Sequence, residues 1–173
     1  AQNLEARFIT QDLTPLEFKN LFTRLDNVML VDANTSINDI KQFLPLYKFY
    51  SFNKSHNYKQ TSGITFDIDS ELTMPMVEEL IKRLTTLKVH SIVYHTVSST
   101  SDRPRIRVLL PFSQPYRINN AVFADIVSGV AEMLGIDSFD PCSLSANHAF
   151  ILPVKLVDAS GTPVSYYEVT YLE

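Results

Sequence analysis

The segment Gly63-Ile64-Thr65-Phe66-Asp67-Ile68-Asp69-Ser70 alternates apolar and polar residues, the pattern of a strand. Ile64, Phe66 and Ile68 face one way, and Thr65, Asp67 and Asp69 face the other. A strand with one apolar face belongs to a sheet that some other layer covers, and the next segment supplies that layer. Met76, Val77, Leu80, Ile81, Leu84 and Leu87 form an apolar stripe at helical spacing. Opposite the stripe, Glu78 precedes Lys82 and Glu79 precedes Arg83 by one helical turn, as on a solvated face.

Short helices and strands fill the rest. Thr14-Pro15-Leu16-Glu17 is a helix start: a capping Thr, Pro at the first helical position, and Glu placed to complete a capping box. Leu16, Phe18, Leu21, Phe22 and Leu25 give that helix its apolar side. Residues 28–31 read as a strand, 36–43 as a short helix ended by Pro45, and 47–52 as a strand. A polar loop over 53–62 carries Lys54, His56 and Lys59. Strands are expected at 91–97 and 105–111. A helix follows over 118–134, with Val122, Ile126 and Val130 inward and Gly135 as its C-cap. Residues 150–152 and 166–171 read as strands around a turn at Ala159-Ser160-Gly161. The expectation is one compact α+β domain, helices packed on a mixed or antiparallel sheet, with 1–62 its N-terminal α/β portion and 63–173 a palm-like catalytic portion.

Composition narrows the function. No apolar run approaches the roughly 18 residues that span a bilayer, and no signal peptide is visible, so no membrane partner is expected. Cys142 is the only cysteine, which rules out an internal disulfide and a cysteine-based zinc site, and fits a reducing, cytoplasmic compartment. It reads as a small buried side chain rather than a thiol nucleophile working with His148. The net charge is −4, from 15 Lys+Arg against 19 Asp+Glu. That balance argues against tight autonomous binding to nucleic acid, where phosphate neutralisation supplies much of the affinity. With 4 glycines and no P-loop, kinase and ATPase readings fall away. A chain that begins at Ala1 without a methionine is expected to have been processed at its N-terminus or cut from a longer protein.

Two carboxylates on one face of a strand sit roughly 7 Å apart at their Cα atoms. Each raises the other's pKa unless a cation lies between them, and oxygen ligands of this kind suit Mg²⁺ or Mn²⁺ with substrate phosphates. On Arg105-Ile106-Arg107-Val108 the arginines share a face. Beside the Asp67 strand they can be aimed at a triphosphate, which the planar guanidinium pairs bidentately. Together these features point to metal-assisted phosphoryl transfer.

In order, the pieces resemble the archaeo-eukaryotic primase superfamily, and most closely the primase-polymerase domains of phage and plasmid replication proteins. The resemblance runs over residues 63–153. It rests on Phe66-Asp67-Ile68-Asp69, a helix, and a strand leading into the hairpin Val97-Ser98-Ser99-Thr100-Ser101-Asp102-Arg103-Pro104-Arg105-Ile106-Arg107. Then come Val108-Leu109-Leu110-Pro111-Phe112, a helix, Asp140-Pro141-Cys142-Ser143, and Phe150-Ile151-Leu152-Pro153. The resemblance implies an RRM-like palm in which Asp67, Asp69 and Asp140 hold two divalent ions, with Asp137 the runner-up for the third carboxylate. It further implies that Ser98, Ser99, Arg105 and Arg107 serve the nucleotide phosphates. The family's histidine near the triphosphate falls on Ser99 here, which leaves His95 and His148 as candidates to replace it. The implied partners are nucleoside triphosphates, a single-stranded DNA template, and a helicase domain or another replication protein.

Two other readings compete. One is a catalytically inactive palm-like module that recruits DNA or replication proteins, favoured by the acidic charge and the missing histidine. The other is a rolling-circle nuclease using Tyr166 or Tyr167. That reading needs histidines two apart on a strand, whereas His90 and His95 lie five apart.

Overall fold

The computed structural model describes residues 8, 10–24, 28–32 and 34–173. Helix α1 (Pro15–Thr23) begins with the capping box read from sequence: Glu17 N–H donates to Thr14 Oγ1 at 3.2 Å, and Thr14 N–H to Glu17 Oε1 at 3.1 Å. Leu25 lies outside the described residues. Strand β1 (Val28–Leu30), helix α2 (Ile37–Lys41), strand β2 (Leu46–Tyr47) and strand β3 (Tyr50–Asn53) follow. The strand expected over 47–52 is therefore two strands in different sheets.

Strand β4 (Tyr58–Ile68) starts well before Gly63. Residues 58–61, read from sequence as part of a loop, pair antiparallel with β3, Phe52 opposite Lys59 and Asn53 opposite Tyr58. Only 54–57 turn, with Asn57 in the left-handed region at φ 54°. A polar hairpin carries no apolar alternation, so its strand character came from pairing alone. Next come α3 (Met74–Thr86), β5 (Ser91–His95), β6 (Ile106–Tyr116), α4 (Asn120–Leu134), a 3₁₀ turn (Pro141–Leu144), β7 (Phe150–Ile151), β8 (Lys155–Val157) and β9 (Val169–Leu172).

The main sheet has the order β3-β4-β6-β5-β9, antiparallel throughout. Helix α3 carries the chain from β4 to β5 across the intervening β6, a split β-α-β arrangement. The fold class is α+β, as expected. On one face Ile64, Phe66 and Ile68 of β4 join Val93, Ile106 and Val108 under α3 and α4. The most buried side of α4 is Phe123, Val127, Ala131 and Leu134; of the residues expected inward, Ile126 and Val130 are partly buried against the same core, whereas Val122 is 45% exposed. The helix is apolar over a broad arc, so spacing alone admits both sets. Gly135 closes α4 in the left-handed region at φ 70°. Arg83, read as a solvated residue, donates from Nη1 to the Leu134 carbonyl and ties α3 to this C-terminus.

The other face of the sheet is covered by α1 and the β2–β7 pair, where Phe22, Tyr47, Ile92, Tyr94, Leu109, Phe150 and Leu152 pack together. The two small sheets (β1 parallel to β8, β2 antiparallel to β7) enclose a third cluster around Leu44 and Leu156. Among the described residues, no helix is long and apolar enough to cross a membrane.

Candidate functional site: a carboxylate cleft beside a buried arginine

Asp67 lies opposite Arg107 in the β4–β6 register, and both stand on the face away from α3 and α4. Near Asp67 strand β3 has ended, so one edge of β4 needs another partner. The segment after α4 provides it. Asp140 N–H donates to the Asp67 carbonyl at 2.7 Å, and Asp67 N–H donates to the buried Ser143 Oγ at 3.0 Å. Two residues of the 140–143 turn thus grip the backbone of the residue whose carboxylate they approach. The turn is itself capped: Asp140 Oδ1 accepts from Cys142 N–H at 2.8 Å.

The outcome is a group in which one ligand atom each of Asp67, Asp140 and Cys142 lies within 4.8 Å of the others. Asp140, rather than Asp137, is the carboxylate brought to Asp67. Asp137 is exposed and lines a separate cavity of about 260 Å³ with Arg83, Gly135 and Ser138. Asp69 stands outside the group, exposed and just past the end of β4, though its charge still acts on Asp67. Burial pushes the Asp67 carboxyl above its usual value, Arg107 opposes that shift, and the charges of Asp69 and Asp140 add to it. Asp140 is held below the usual carboxylate range by its hydrogen bonds from Cys142. Burial, helped by Asp140 and Asp67, pushes the Cys142 thiol up to about 12, so it stays protonated near neutral pH.

Arg107 is deeply engaged. Its Nε lies 3.5 Å from Asp67 Oδ1 in an ion pair with both side chains about 15% exposed or less, yet among the described residues Nε finds no hydrogen-bond partner. Nη1 donates to the Ile151 carbonyl at 3.2 Å, and the guanidinium carbon lies 5.5 Å from the centre of the Phe150 ring. Burial works against its charge, but Tyr94, Asp67 and Tyr47 together raise its pKa above the ordinary value. Tyr94 Oη donates to that same Ile151 carbonyl at 2.6 Å, and Tyr47 Oη lies 3.3 Å from Tyr94 Oη.

The remaining candidates divide between the two faces. Arg105 is half-buried and lies just before β6, two residues ahead of Arg107. His148 is exposed, its ring 4.8 Å from that of Phe150, and its charge lowers the pKa of both Asp67 and Asp140. His95 goes the other way: it pairs with Ile106 and stands on the helix-covered face, 4% exposed. Its Nδ1 lies 2.8 Å from the fully buried Ser99 Oγ, which also accepts from Arg105 N–H at 3.0 Å. The Ser99 and His95 side chains therefore lock the β5–β6 hairpin and do not line the carboxylate cleft. Ser98, half-buried, sits in the turn of that hairpin. Of the two candidate histidines, the cleft holds His148.

Reading from sequence missed Cys142, Ser143, Tyr47, Tyr94 and Phe150 as parts of the site. The Asp140-Pro141-Cys142-Ser143 motif contained a signal for the first two. The aromatic residues come from distant strands, and nothing local marks them.

As a donor set, the oxygens of Asp67 and Asp140 fit a hard divalent cation that completes its sphere with water or phosphate, and the protonated thiol adds little. The family model of the VapE N-terminal domain matches residues 26–169, a span that contains every residue of the cleft. No curated protein and no solved structure matches the chain. With five-sixths of its length inside that match, the chain belongs to the VapE N-terminal domain family, a domain associated with phage and plasmid replication.

Proposed function

We propose that the cleft is the nucleotidyl-transfer site of a primase-polymerase domain acting in phage or plasmid replication. The observation that carries this reading is the meeting of Asp67 and Asp140, 73 positions apart in the chain, beside a buried arginine. Asp67 and Asp140 would hold Mg²⁺ or Mn²⁺, with Asp69 at the rim. Bound divalent ions supply activation of an attacking hydroxyl and neutralisation of phosphate charge. The chain's own residues prepare the place. Arg107 opposes the upward shift that burial imposes on Asp67, the 140–143 turn fixes where the second carboxylate sits, and Arg105 and His148 are the side chains that would meet phosphate oxygens. Nucleoside triphosphates and a single-stranded DNA template are the substrates this reading requires, with a helicase domain or other replication protein as partner.

The second reading, an inactive module that recruits DNA or replication proteins, is favoured by one observation. Arg107 is already occupied by Asp67, Ile151 and Phe150, which leaves fewer free donors for a triphosphate. Primer-extension and de novo synthesis assays with Mn²⁺ and with Mg²⁺ separate the two. Incorporation by the wild-type chain that Asp67→Ala or Asp140→Ala abolishes is the expected result. A folded wild-type chain that incorporates nothing on several templates with either ion leaves the recruiting module.

A further inference from the structure

The chain is acidic overall, but its charge is unevenly distributed. No acidic residue occurs from Lys41 to Phe66 or from Arg103 to Ala124, and these stretches carry Lys41, Lys48, Lys54, Lys59, Arg103, Arg105, Arg107 and Arg117. The fold brings the two stretches together. Strand β4 pairs with β3 on one side and β6 on the other, and Thr61 of β4 lies opposite Tyr116 of β6. The far end of this three-stranded ribbon therefore presents Lys54, His56, Lys59 and Arg117, all exposed, from three neighbouring segments.

Aromatic rings are interleaved with these side chains. Lys59 Nζ lies 5.6 Å from the ring centres of both Tyr50 and Phe52, and the Arg117 guanidinium lies 5.2 Å from that of Tyr58. His56 packs on Tyr58 at 5.7 Å. Phe52 and Tyr116 are each 41% exposed.

We propose that the ribbon end binds a single-stranded polynucleotide, with phosphates drawn to Lys54, Lys59 and Arg117 and unpaired bases stacked on Phe52 and Tyr116. Cations beside exposed aromatic faces are the combination that single strands use, since a duplex keeps its base faces stacked internally. An acidic protein would be met by the cations without needing the rings. The inference deepens the nucleotidyl-transfer reading, on which it rests for the class of ligand, but the binding itself requires neither metal nor the carboxylates.

The test is fluorescence anisotropy of a labelled oligothymidylate with the whole chain in EDTA, titrated between about 50 and 200 mM salt. The triple variant Lys54→Gln, Lys59→Gln, Arg117→Gln is expected to bind at least tenfold more weakly. The slope of log affinity against log salt should shrink by about 0.7 for each lost contact. Phe52→Ala with Tyr116→Ala should weaken binding by about fivefold or more at an unchanged slope. Lys82→Gln with Lys88→Gln, exposed charges on and just after α3, should bind as wild type. Wild-type affinity in the triple variant, no binding by the wild-type chain, or polyglutamate bound as tightly as the oligonucleotide would each overturn the proposal. If the ribbon binds oligonucleotide but the chain incorporates no nucleotide, the nucleotidyl-transfer reading fails and this one stands. If the chain incorporates nucleotides and the ribbon variants bind normally, this one fails alone.

Discussion

His95 is a titratable ring folded into the helix side of the sheet, where its Nδ1 meets Ser99 Oγ and its face meets Tyr166 at 4.5 Å. Because Ser99 Oγ already accepts from Arg105 N–H, its own proton is available for Nδ1, which suits a neutral ring. Burial lowers the His95 pKa below the usual value, with the charge of Glu168 only partly opposing. The sign of the linkage follows. In unfolded chains the ring takes its proton near pH 6.5, while the folded ring resists it to a lower pH. Stability is then complete above about pH 6.5 and is lost as the pH falls from there through the folded value. Urea unfolding from about pH 7.5 to 5 should show the midpoint of wild type falling further than that of His95→Gln. Equal pH slopes in the two proteins would show that His95 protonates freely in the fold. Arg107 is the contrasting case at this scale: its charge is retained in a buried place because Asp67 shares it. Removing either partner leaves the other charged and unpaired, a loss on the order of 3–5 kcal/mol for buried pairs.

Strand β4 carries the site at one end and the ribbon at the other, and Gly63 separates them. The pairing with β6 shifts register between Thr61 and Gly63, as a bulge does. A Cβ on Gly63 would lie 2.9 Å from two carbons of the Phe49 ring and 3.0 Å from the Leu110 carbonyl oxygen. The ring can shift but the carbonyl belongs to the paired strand, so Gly63→Ala is expected to destabilise the fold by about 1–3 kcal/mol, the range of overpacking. Chemical denaturation measures it, and an unchanged midpoint would mean that β6 yields at its irregular stretch. Elements were legible where their physics is local. The Thr14–Glu17 capping box, the α3 stripe at Val77, Leu80, Ile81 and Leu84 (its expected ends Met76 and Leu87 are each 49% exposed), the Gly135 cap and the alternation from Gly63 to Ile68 all depend on neighbours within a turn or a strand. What escaped depends on partners elsewhere. Residues 58–61 became a strand only by pairing with β3, and the inward arc of α4 was settled by what α3 and β4 left to fill.

At the scale of the whole molecule, the cleft is assembled from parts that sequence order keeps distant, and their legibility varied with distance. Asp67 and Arg107 were marked by alternation on their own strands. Asp140 was reached through resemblance, because nothing local distinguishes it from Asp137. The ring of Phe150 and the carbonyl of Ile151 arrive from β7, which no pattern connects to β6. If the assembled carboxylates bind an ion, that binding should stabilise the whole fold, because the unfolded chain cannot hold Asp67 and Asp140 together. An ion at a hundredfold its dissociation constant adds about 2.7 kcal/mol, which for a domain of this size moves the melting temperature by roughly 5–10 °C. Mn²⁺ should therefore raise the wild-type midpoint saturably, and EDTA should reverse the rise. Asp140→Asn can still accept the Cys142 N–H through its amide oxygen, so the turn survives while a ligand charge is lost. The Mn²⁺-dependent rise should disappear in Asp140→Asn and in Asp67→Asn, and persist in Asp137→Asn, whose side chain lines the other cavity. A rise that survives Asp140→Asn would place the ion away from the 140–143 turn, and with it the chemistry assigned to this cleft.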